Sequence, residues 1–207
     1  MSMCVLIVGA PRTGSSVVAG TLNRMGAFCG DALMPADEWN PLGHYSDEDF
    51  AALFLDWLGE FGIPSNLTPE IPSDIACRLD SLCESRRQRD FWCVKWYQAP
   101  YLYQPLIDRG FSVKVIHCTR ERKRSLDSLK ARVVDSHKFI SILEKWVDDA
   151  TVAAKALVDL IPELSMTVDF DSAIDNPKKL AEDLSSFVGI PLVSGAEDWI
   201  TQTLKRF

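Results

Sequence analysis

The sequence predicts an α/β fold in which helices cover both faces of a central parallel sheet. Two observations support this prediction: short apolar runs typical of buried strands recur along the chain, and segments with helical apolar spacing separate them. Strands that alternate with helices form parallel βαβ units, which build three layers, α/β/α. The chain has 207 residues, of which 47% are hydrophobic, and this suits a single domain over 1–207.

The individual elements are predicted from the spacing of apolar residues. The strands are short apolar runs, predicted at 4–8, 91–96, 111–118 and 164–168. The helices are predicted at 15–25, 49–61, 75–89, 101–108, 120–132, 137–160, 177–188 and 195–206. Residues 27–48 contain scattered Pro and Gly, which predicts irregular structure there.

Composition and charge exclude several classes of function. The formal net charge is −7, so nucleic acid would be repelled, whereas a small anion needs only a local pocket. The six cysteines form no CxxC pair and the histidines do not cluster with them, so no metal site is expected. The N-terminal apolar run is too short for a signal peptide or a membrane span, which favours a cytoplasmic protein that does not contact membranes.

The loop between the first strand and the first helix carries the signal for anion binding. Residues 9–16 have the sequence GAPRTGSS, which matches the glycine and hydroxyl positions of the phosphate loop GxxxxGK[ST] and predicts a P-loop NTPase-like fold. The glycines allow successive amides to point into one concavity, and the following helix adds its positive end. Ser15 replaces the usual lysine, which argues against a nucleoside triphosphate, and a cation stands instead at Arg12. An ordinary Gly/Pro turn is the alternative.

This loop resembles the 5′-phosphosulfate loop of sulfotransferases that use PAPS (3′-phosphoadenosine 5′-phosphosulfate). The family's loop carries a Lys or Arg, a small residue, a Gly and two Ser or Thr, and this sequence has those types in that order. The resemblance implies PAPS as the donor co-substrate, PAP as its product, and no metal. It assigns the phosphosulfate contacts to Pro11, Arg12, Thr13, Gly14, Ser15 and Ser16.

A second segment supports the resemblance. The family holds the 3′-phosphate with an Arg at a strand end and a Ser eight residues later, and Arg120 and Ser128 stand in those places. Such a pair can converge on one anion, because the Ser lies about two turns into the helix that follows the strand. Arg122 stands where the family has Pro, and a solvated basic helix start is the alternative interpretation.

The resemblance covers about 5–188 and weakens at 50–90, so residues 30–90 are expected to form the variable acceptor-side segment of the single domain. Residues 164–190 are similar to the family's late strand and helix, with Phe170 where relatives often have Tyr. The C-terminal Arg-Lys-Gly loop of the family's cytosolic members is not found, so either another group covers the 3′-phosphate or the nucleotide is held less tightly.

Candidate catalytic cations follow from the charge that sulfuryl transfer creates. Negative charge spreads over the sulfuryl oxygens and the leaving phosphate, and Arg12 and Lys95 are expected to stabilise it. Lys95 lies in an apolar strand, near the strand end where the family often has a Lys. A lysine that reaches solvent from an edge strand is the alternative.

The acceptor must also lose a proton, so a general base is expected. Cytosolic relatives place a His two residues after that Lys, but this chain has Tyr97 there. Residues 40–47, NPLGHYSD, resemble the family's Asn-Pro-x-Gly-Tyr-x-Glu stretch. The favoured base is therefore His44, whose type titrates near neutral pH, followed by Asp47 and then Asp31.

The function that the sequence predicts is transfer of a sulfuryl group from PAPS to a hydroxyl or amine of an unidentified small molecule. The alternatives are a P-loop kinase of small molecules and a nucleotide-binding protein without catalysis. Five aromatic residues are candidates for an apolar acceptor pocket or for core packing: Trp39, Trp57, Trp92, Trp96 and Tyr97. The oligomeric state is left open, with a dimer as one option.

Overall fold

The computed structural model describes residues 2–133 and 136–204, which contain a four-stranded parallel sheet. Its strands are β1 (Met3–Val8), β2 (Phe91–Lys95), β3 (Ser112–Thr119) and β4 (Ser165–Asp169). Their order across the sheet is β2-β1-β3-β4, and every neighbouring pair is parallel. β1 is therefore an inner strand with neighbours on both edges, in keeping with its continuous apolar sequence.

Helices connect these strands and flank the sheet. They are α1 (Ser15–Arg24), α2 (Glu48–Leu58), α3 (Ser73–Arg86), α4 (Tyr103–Asp108), α5 (Arg122–Lys130), α6 (Ser136–Leu160), α7 (Phe170–Ala173), α8 (Pro177–Val188) and α9 (Ala196–Leu204). Short 3-10 turns precede α4 and β4, at Ala99–Leu102 and Pro162–Leu164. No helix within the described ranges combines the length and the apolar character needed to cross a membrane.

Alternate residues of β1 pack into two hydrophobic layers. Val5 and Ile7 face one side of the sheet, where they pack with α1, α8 and α9. Leu6 and Val8 face the other side, where α2, α3 and α6 cover them. Because helices cover both faces, the fold has three layers, α/β/α. The predicted fold class is confirmed, including the P-loop NTPase-like arrangement of a strand, a glycine loop and a helix at the start of the chain.

The predicted strands and helices are present, with differences at their ends. α2 ends at Leu58 rather than 61, because Gly59 adopts a positive φ of 75° and its amide bonds back to the helix. α5 begins at Arg122, two residues later than predicted. The predicted end of the last helix at 206 lies outside the described residues. α7, a single helical turn directly after β4, is an element that the sequence pattern does not indicate.

Candidate functional site

Two loops leave the carboxyl edge of the sheet at the same point. β1 and β3 are neighbours, with Val8 paired to His117, but the chain leads from β1 to one side of the sheet and from β3 to the other. A reversal of this kind opens a crevice between the two loops, and α/β proteins hold their ligands in such crevices. The loop that begins at Gly9 and the turn at Arg120 lie at this position.

Two glycines allow the loop after β1 to pack tightly. A Cβ atom on Gly9 would lie 2.3 Å from the carbonyl oxygen of Cys118, so only glycine lets the backbone of β3 come this close. Gly14 precedes α1 with a φ of 84°, and a Cβ atom there would lie 2.1 Å from Cδ2 of Phe170. Both glycine positions of the phosphate loop are thus required by contacts with other parts of the fold.

The three hydroxyl residues of the loop differ in what their side chains contact. Thr13 is buried and donates a hydrogen bond to the carbonyl oxygen of Ala10 at 2.8 Å, which closes the loop on itself. Ser15 and Ser16 begin α1, whose first turn has no acidic residue, and both line a cavity. The sequence predicted a phosphosulfate contact for Thr13. Since its side chain is used within the loop, that contact could come only from its backbone.

Arg12 is held in an unusual conformation. Its φ of 70° lies in the left-handed region, which few non-glycine residues adopt. Those that do are frequently found at functional sites. Its Nε donates to Ser128 Oγ at 2.9 Å, and its carbonyl oxygen lies 3.4 Å from Nη1 of Arg120. Burial, with the nearby charges of Arg132 and Arg120, lowers the pKa of Arg12 to about 10. Several cations therefore crowd here, and a bound anion would relieve their repulsion.

Arg120 and the β1 loop both pack against one aromatic ring. The guanidinium carbon of Arg120 lies 5.0 Å from the centroid of Phe170, the ring against which Gly14 packs. Arg120 Nε also lies 3.4 Å from a carboxylate oxygen of Asp171. Phe170, which stands where relatives often have Tyr, thus offers a packing surface rather than a hydrogen bond.

These segments bound one cavity. Its walls come from the β1 loop and the start of α1, from residues 40–44, from the chain at the end of β2, and from the region of α5 and α6. Most of the predicted site residues line it, namely Pro11, Arg12, Gly14, Ser15, Ser16, His44, Lys95 and Arg120. Ser128 reaches the site through its bond to Arg12. Arg12 and Arg120 therefore face a common space, as the two ends of one bisphosphorylated nucleotide would require.

Lys95, the last residue of β2, connects the phosphate loop with the acceptor-side segment. Its Nζ donates to Ser16 Oγ at 3.2 Å and to the carbonyl oxygen of His44 at 3.0 Å. Burial, together with the charge of Arg12, lowers the pKa of Lys95 to about 8. Lys95 is still mostly protonated at neutral pH and can stabilise an anion in the cavity, but this charge is lost in mildly basic solution.

His44 lies in a hydrogen-bonded turn that the sequence did not reveal. Its Nε2 lies 3.0 Å from Oδ2 of Asp37, and its Nδ1 lies 3.0 Å from Nδ2 of Asn40. Since a carboxylate only accepts hydrogen bonds, Nε2 carries the proton and Nδ1 carries the lone pair that accepts from Asn40. Burial and the charge of Lys95 lower the pKa of His44, and the hydrogen bond to Asp37 opposes them.

Asp47 and Asp31 are not among the residues that line the cavity, which argues against both as candidate bases. Asp47 is buried, caps α2 by accepting from the Asp49 amide at 3.0 Å, and pairs with Arg86 at 2.6 Å. Burial raises the pKa of Asp47, and the hydrogen bond from Arg86 opposes that change. Asp31 is mostly exposed and lies 3.5 Å from the same guanidinium. This geometry favours a structural role for Asp47: it anchors the segment that carries His44.

The aromatic candidates separate into three environments. Trp96 and Tyr97 line the cavity. Trp57 and Trp92 pack in the hydrophobic layer under α2 and α3. Trp39 lies under the guanidinium of Arg132, 5.6 Å from it. Of these five candidates, only the first pair can contact a ligand in this cavity.

Several residues at the cavity are not indicated by the sequence pattern. Trp146 of α6 lines the cavity, although its helical spacing indicates only core packing. Arg132 lines it as well, just beyond the end of α5. In the sequence, Asn40 is notable only because it begins the stretch 40–47 that resembles the family's Asn-Pro-x-Gly-Tyr-x-Glu. No sequence pattern indicates Asp37, the partner of His44.

Within residues 2–133 and 136–204, no three or more His, Cys, Asp or Glu side chains are grouped to hold a metal ion.

Known structures resemble this chain in their fold. No protein-family model matches the chain, and no curated protein matches its sequence. Among solved structures, it is similar to the sulfotransferase domain of the Synechococcus PCC 7002 olefin synthase, with a TM-score of 0.57 and 18% identity. That match covers 97% of this chain and 80% of the other. The sulfotransferase STF9 from Mycobacterium avium gives a TM-score of 0.61 and 13% identity, over 99% of this chain and 68% of the other.

The chain has a sulfotransferase fold. At such low identity this likeness shows the fold alone, because one fold can carry different chemistries. The sulfotransferase fold places the glycine loop, Arg120 and Lys95 around one cavity at the carboxyl edge of the sheet.

Proposed function

We propose that this protein is a sulfotransferase that moves the sulfuryl group of PAPS to a hydroxyl or amine of a small molecule. The observation that carries the proposal is the single cavity shared by the glycine loop, Arg120, Lys95 and His44. A cavity with cations at two loop positions fits a ligand with two separated anionic groups. The similarity to sulfotransferase structures supports the same choice.

Each of the two loops would bind a different anionic group of the donor. The backbone amides of the β1 loop, the start of α1 and Arg12 would hold the 5′-phosphosulfate. Arg120 and Ser128 would hold the 3′-phosphate, which requires Ser128 to exchange its present contact with Arg12 for one with the anion. Arg132 lines the same cavity and would supply a further cation for the donor.

The proposed reaction forms a bond between sulfur and the acceptor atom while the bond from sulfur to the phosphate oxygen breaks, and PAP leaves. Arg12 and Lys95 stabilise the negative charge that develops on the sulfuryl oxygens and the leaving phosphate. His44 takes the acceptor's proton at Nδ1, the nitrogen that carries the lone pair. For this step the acceptor hydroxyl must replace Asn40, which now donates to Nδ1 at 3.0 Å.

The aromatic wall of the cavity favours an acceptor with an apolar, flat body. Tyr97 stacks on Trp96 and meets Trp146 edge to face, with ring centroids 5.1 and 4.9 Å away. The polar atoms of this wall are bonded elsewhere or buried. Trp96 Nε1 donates a hydrogen bond to Gln98, and the Tyr97 hydroxyl donates one to the carbonyl oxygen of Glu60. Trp146 Nε1 is buried. The wall thus offers carbon surface, which suits an aromatic alcohol better than a sugar.

The kinase alternative has less support. A P-loop kinase uses the loop lysine at the position of Ser15 and the hydroxyl at the position of Ser16 to hold phosphate and magnesium. In this structure Ser16 Oγ accepts a hydrogen bond from Lys95, whose positive charge disfavours a divalent cation beside it.

Thermal unfolding with PAP and with Mg-ATP tests the donor assignment. At a concentration 100-fold above its Kd, a ligand of the native state adds about 2.7 kcal/mol, or about 5–10 °C in Tm for a chain of this size. We expect this rise with PAP in the wild type, a smaller one in Arg120→Ala, and a wild-type rise in the exposed control Arg78→Ala. A rise with Mg-ATP and none with PAP would replace the proposal with the kinase.

Transfer of radioactive sulfate from PAPS to a panel of acceptors tests the reaction itself. We expect phenols and aromatic alcohols to be labelled, and monosaccharides of similar size to be labelled at least tenfold more slowly. Binding of PAPS without labelling of any acceptor would support a nucleotide-binding protein without catalysis. Preference for sugars would contradict the interpretation of the aromatic wall while leaving the sulfotransferase proposal in place.

A further inference from the structure

We propose that Asp37 and Arg132 form a positioning pair for His44, which ties the acceptor-side loop to the turn after α5. The inference rests on the proposed role of His44 as the base. Neither Asp37 nor Arg132 is indicated by any motif of the sequence, and the two residues lie 95 positions apart. They meet because the loop 37–44, part of which lines the cavity, reaches the residues that follow α5.

Asp37 organises this loop through both carboxylate oxygens. Oδ1 accepts hydrogen bonds from the amides of Trp39 and Asn40, at 2.9 and 2.5 Å, which closes a turn in the backbone. Oδ2 accepts from His44 Nε2 at 3.0 Å and from Arg132 Nη2 at 2.8 Å. Burial alone would raise the pKa of Asp37, but these hydrogen bonds lower it, so the carboxylate stays charged at neutral pH.

The bond from His44 to Asp37 selects one form of the imidazole ring. With the proton held on Nε2, the lone pair is on Nδ1, where a hydroxyl of the acceptor can be deprotonated. When His44 takes a second proton, the negative charge of Asp37 stabilises the resulting imidazolium. Asp37 therefore positions the ring and supports its charge without itself contacting the acceptor.

Arg132 anchors Asp37 from the donor side of the cavity. Its guanidinium lies over Trp39, at 5.6 Å from the ring centroid, and it contacts the carboxylate of the same turn. Its charge lowers the pKa of Arg12 and that of His44. Arg132 thus holds the acceptor loop against the part of the cavity assigned to the donor. Its positive charge lowers the pKa of His44, whereas the negative charge of Asp37 raises it.

The charged groups that act on His44 come from three parts of the fold. Lys95 approaches from β2, Asp37 from the loop of His44 itself, and Arg132 from the turn after α5. Removal of Asp37's charge should lower the pKa of His44, because an attraction to the imidazolium is lost. Removal of Arg132's charge should raise it, because a repulsion is lost. A general disturbance of the loop would not move the pKa in opposite directions in the two variants.

Nitrogen NMR of ¹⁵N-histidine-labelled protein tests the inference without any turnover. The signals of His44 are assigned with His44→Gln, and its tautomer and pKa are then measured in Asp37→Asn, Arg132→Gln and Arg132→Lys. We expect the Nε2–H tautomer in the wild type and a mixture in Asp37→Asn, with a pKa lower by about 1. Arg132→Gln should raise the pKa of His44, and Arg132→Lys should restore it toward the wild-type value.

The exposed pair of Arg122 and Asp148 provides matched controls. Its two bonds measure 2.6 and 2.7 Å and it lies outside the cavity, so Arg122→Gln and Asp148→Asn should leave the His44 signals unchanged. An unchanged tautomer and pKa in both Asp37→Asn and Arg132→Gln would overturn the inference, as would shifts of the same sign.

A turnover assay distinguishes failure of this inference from failure of the proposed function. In the transfer assay, Asp37→Asn should lower kcat by about 10- to 100-fold with little change in the KM for PAPS, and the acidic limb of its pH profile should move to lower pH. A wild-type kcat in Asp37→Asn would overturn the positioning role in catalysis. If the wild type itself transfers nothing, the proposed function fails, whereas the NMR titration still decides whether Asp37 and Arg132 control His44.

Discussion

Replacement of Gly14 by alanine should destabilise the protein through two effects whose sizes can be separated. Gly14 has a φ of 84°, a conformation that costs an L-residue about 1–2 kcal/mol. The new methyl carbon would also lie 2.1 Å from Cδ2 of Phe170, a buried ring that cannot move aside freely. Overpacking of this kind costs about 1–3 kcal/mol, so Gly14→Ala should lose about 2–5 kcal/mol in total.

Urea unfolding of a set of variants measures each contribution. Gly189→Ala is the matched control for the backbone effect, because Gly189 has a φ of 79° and no atom lies within 4 Å of the place that an added methyl carbon would take. It should lose only about 1–2 kcal/mol. The steric effect is measured by introducing Gly14→Ala into Phe170→Ala, where the clashing ring is gone and the further loss should fall to about 1–2 kcal/mol.

The same loss of free energy for Gly14→Ala in both backgrounds would refute this reasoning, since the contact with Phe170 would then have no energetic weight. A loss no larger than that of Gly189→Ala would do the same. The expected coupling of about 1–3 kcal/mol would show that the phosphate loop is held in place by α7, the helical turn after the last strand.

Three further predictions concern the ligand site. Arg12→Ala should raise the free energy of the transition state by about 2–4 kcal/mol, measured as kcat/KM for sulfuryl transfer, and near-normal turnover would argue against its role. Ser128→Ala should weaken PAP binding about fivefold in calorimetry and lower the free energy of unfolding by at most about 1 kcal/mol, and an unaltered Kd would contradict the 3′-phosphate assignment. PAP binding should weaken above about pH 8, because Lys95, with its pKa of about 8, loses its charge there. Lys95→Met should bind PAP weakly at every pH from about 7 to 9, and a wild-type pH dependence in that variant would assign the effect to another group.

Local patterns were sufficient to predict the elements and the phosphate loop. Most strands and helices are indicated by the spacing of their own apolar residues, and the loop at 9–16 is a contiguous motif. Lys95 and His44 were also identified, because a lysine at the end of an apolar strand and a histidine in a Pro/Gly loop are visible in short stretches. Their presence in one cavity follows from the parallel sheet, which brings the carboxyl ends of its strands to one edge.

Contacts between distant segments were not predictable in the same way. Asp47 belongs to an acidic stretch that resembles a catalytic one, but the structure pairs it with Arg86, a buried cation 39 positions away. Trp146 shows the spacing of any buried helix residue, and only the packing of α6 beside the cavity gives it a surface there.

The sequence by itself determined the α/β layers, the glycine loop with Arg12 inside it, and Arg120 directly after β3, because each depends on neighbours within a few positions. Only the tertiary structure decided which carboxylate serves His44, since Asp37, Asp47 and Asp31 are equivalent in type and all lie within 13 positions of it. Burial against Arg86 takes Asp47 out of the site, and the approach of Arg132 holds Asp37 within it. The free energy of these ion pairs depends on distances that chain folding alone creates.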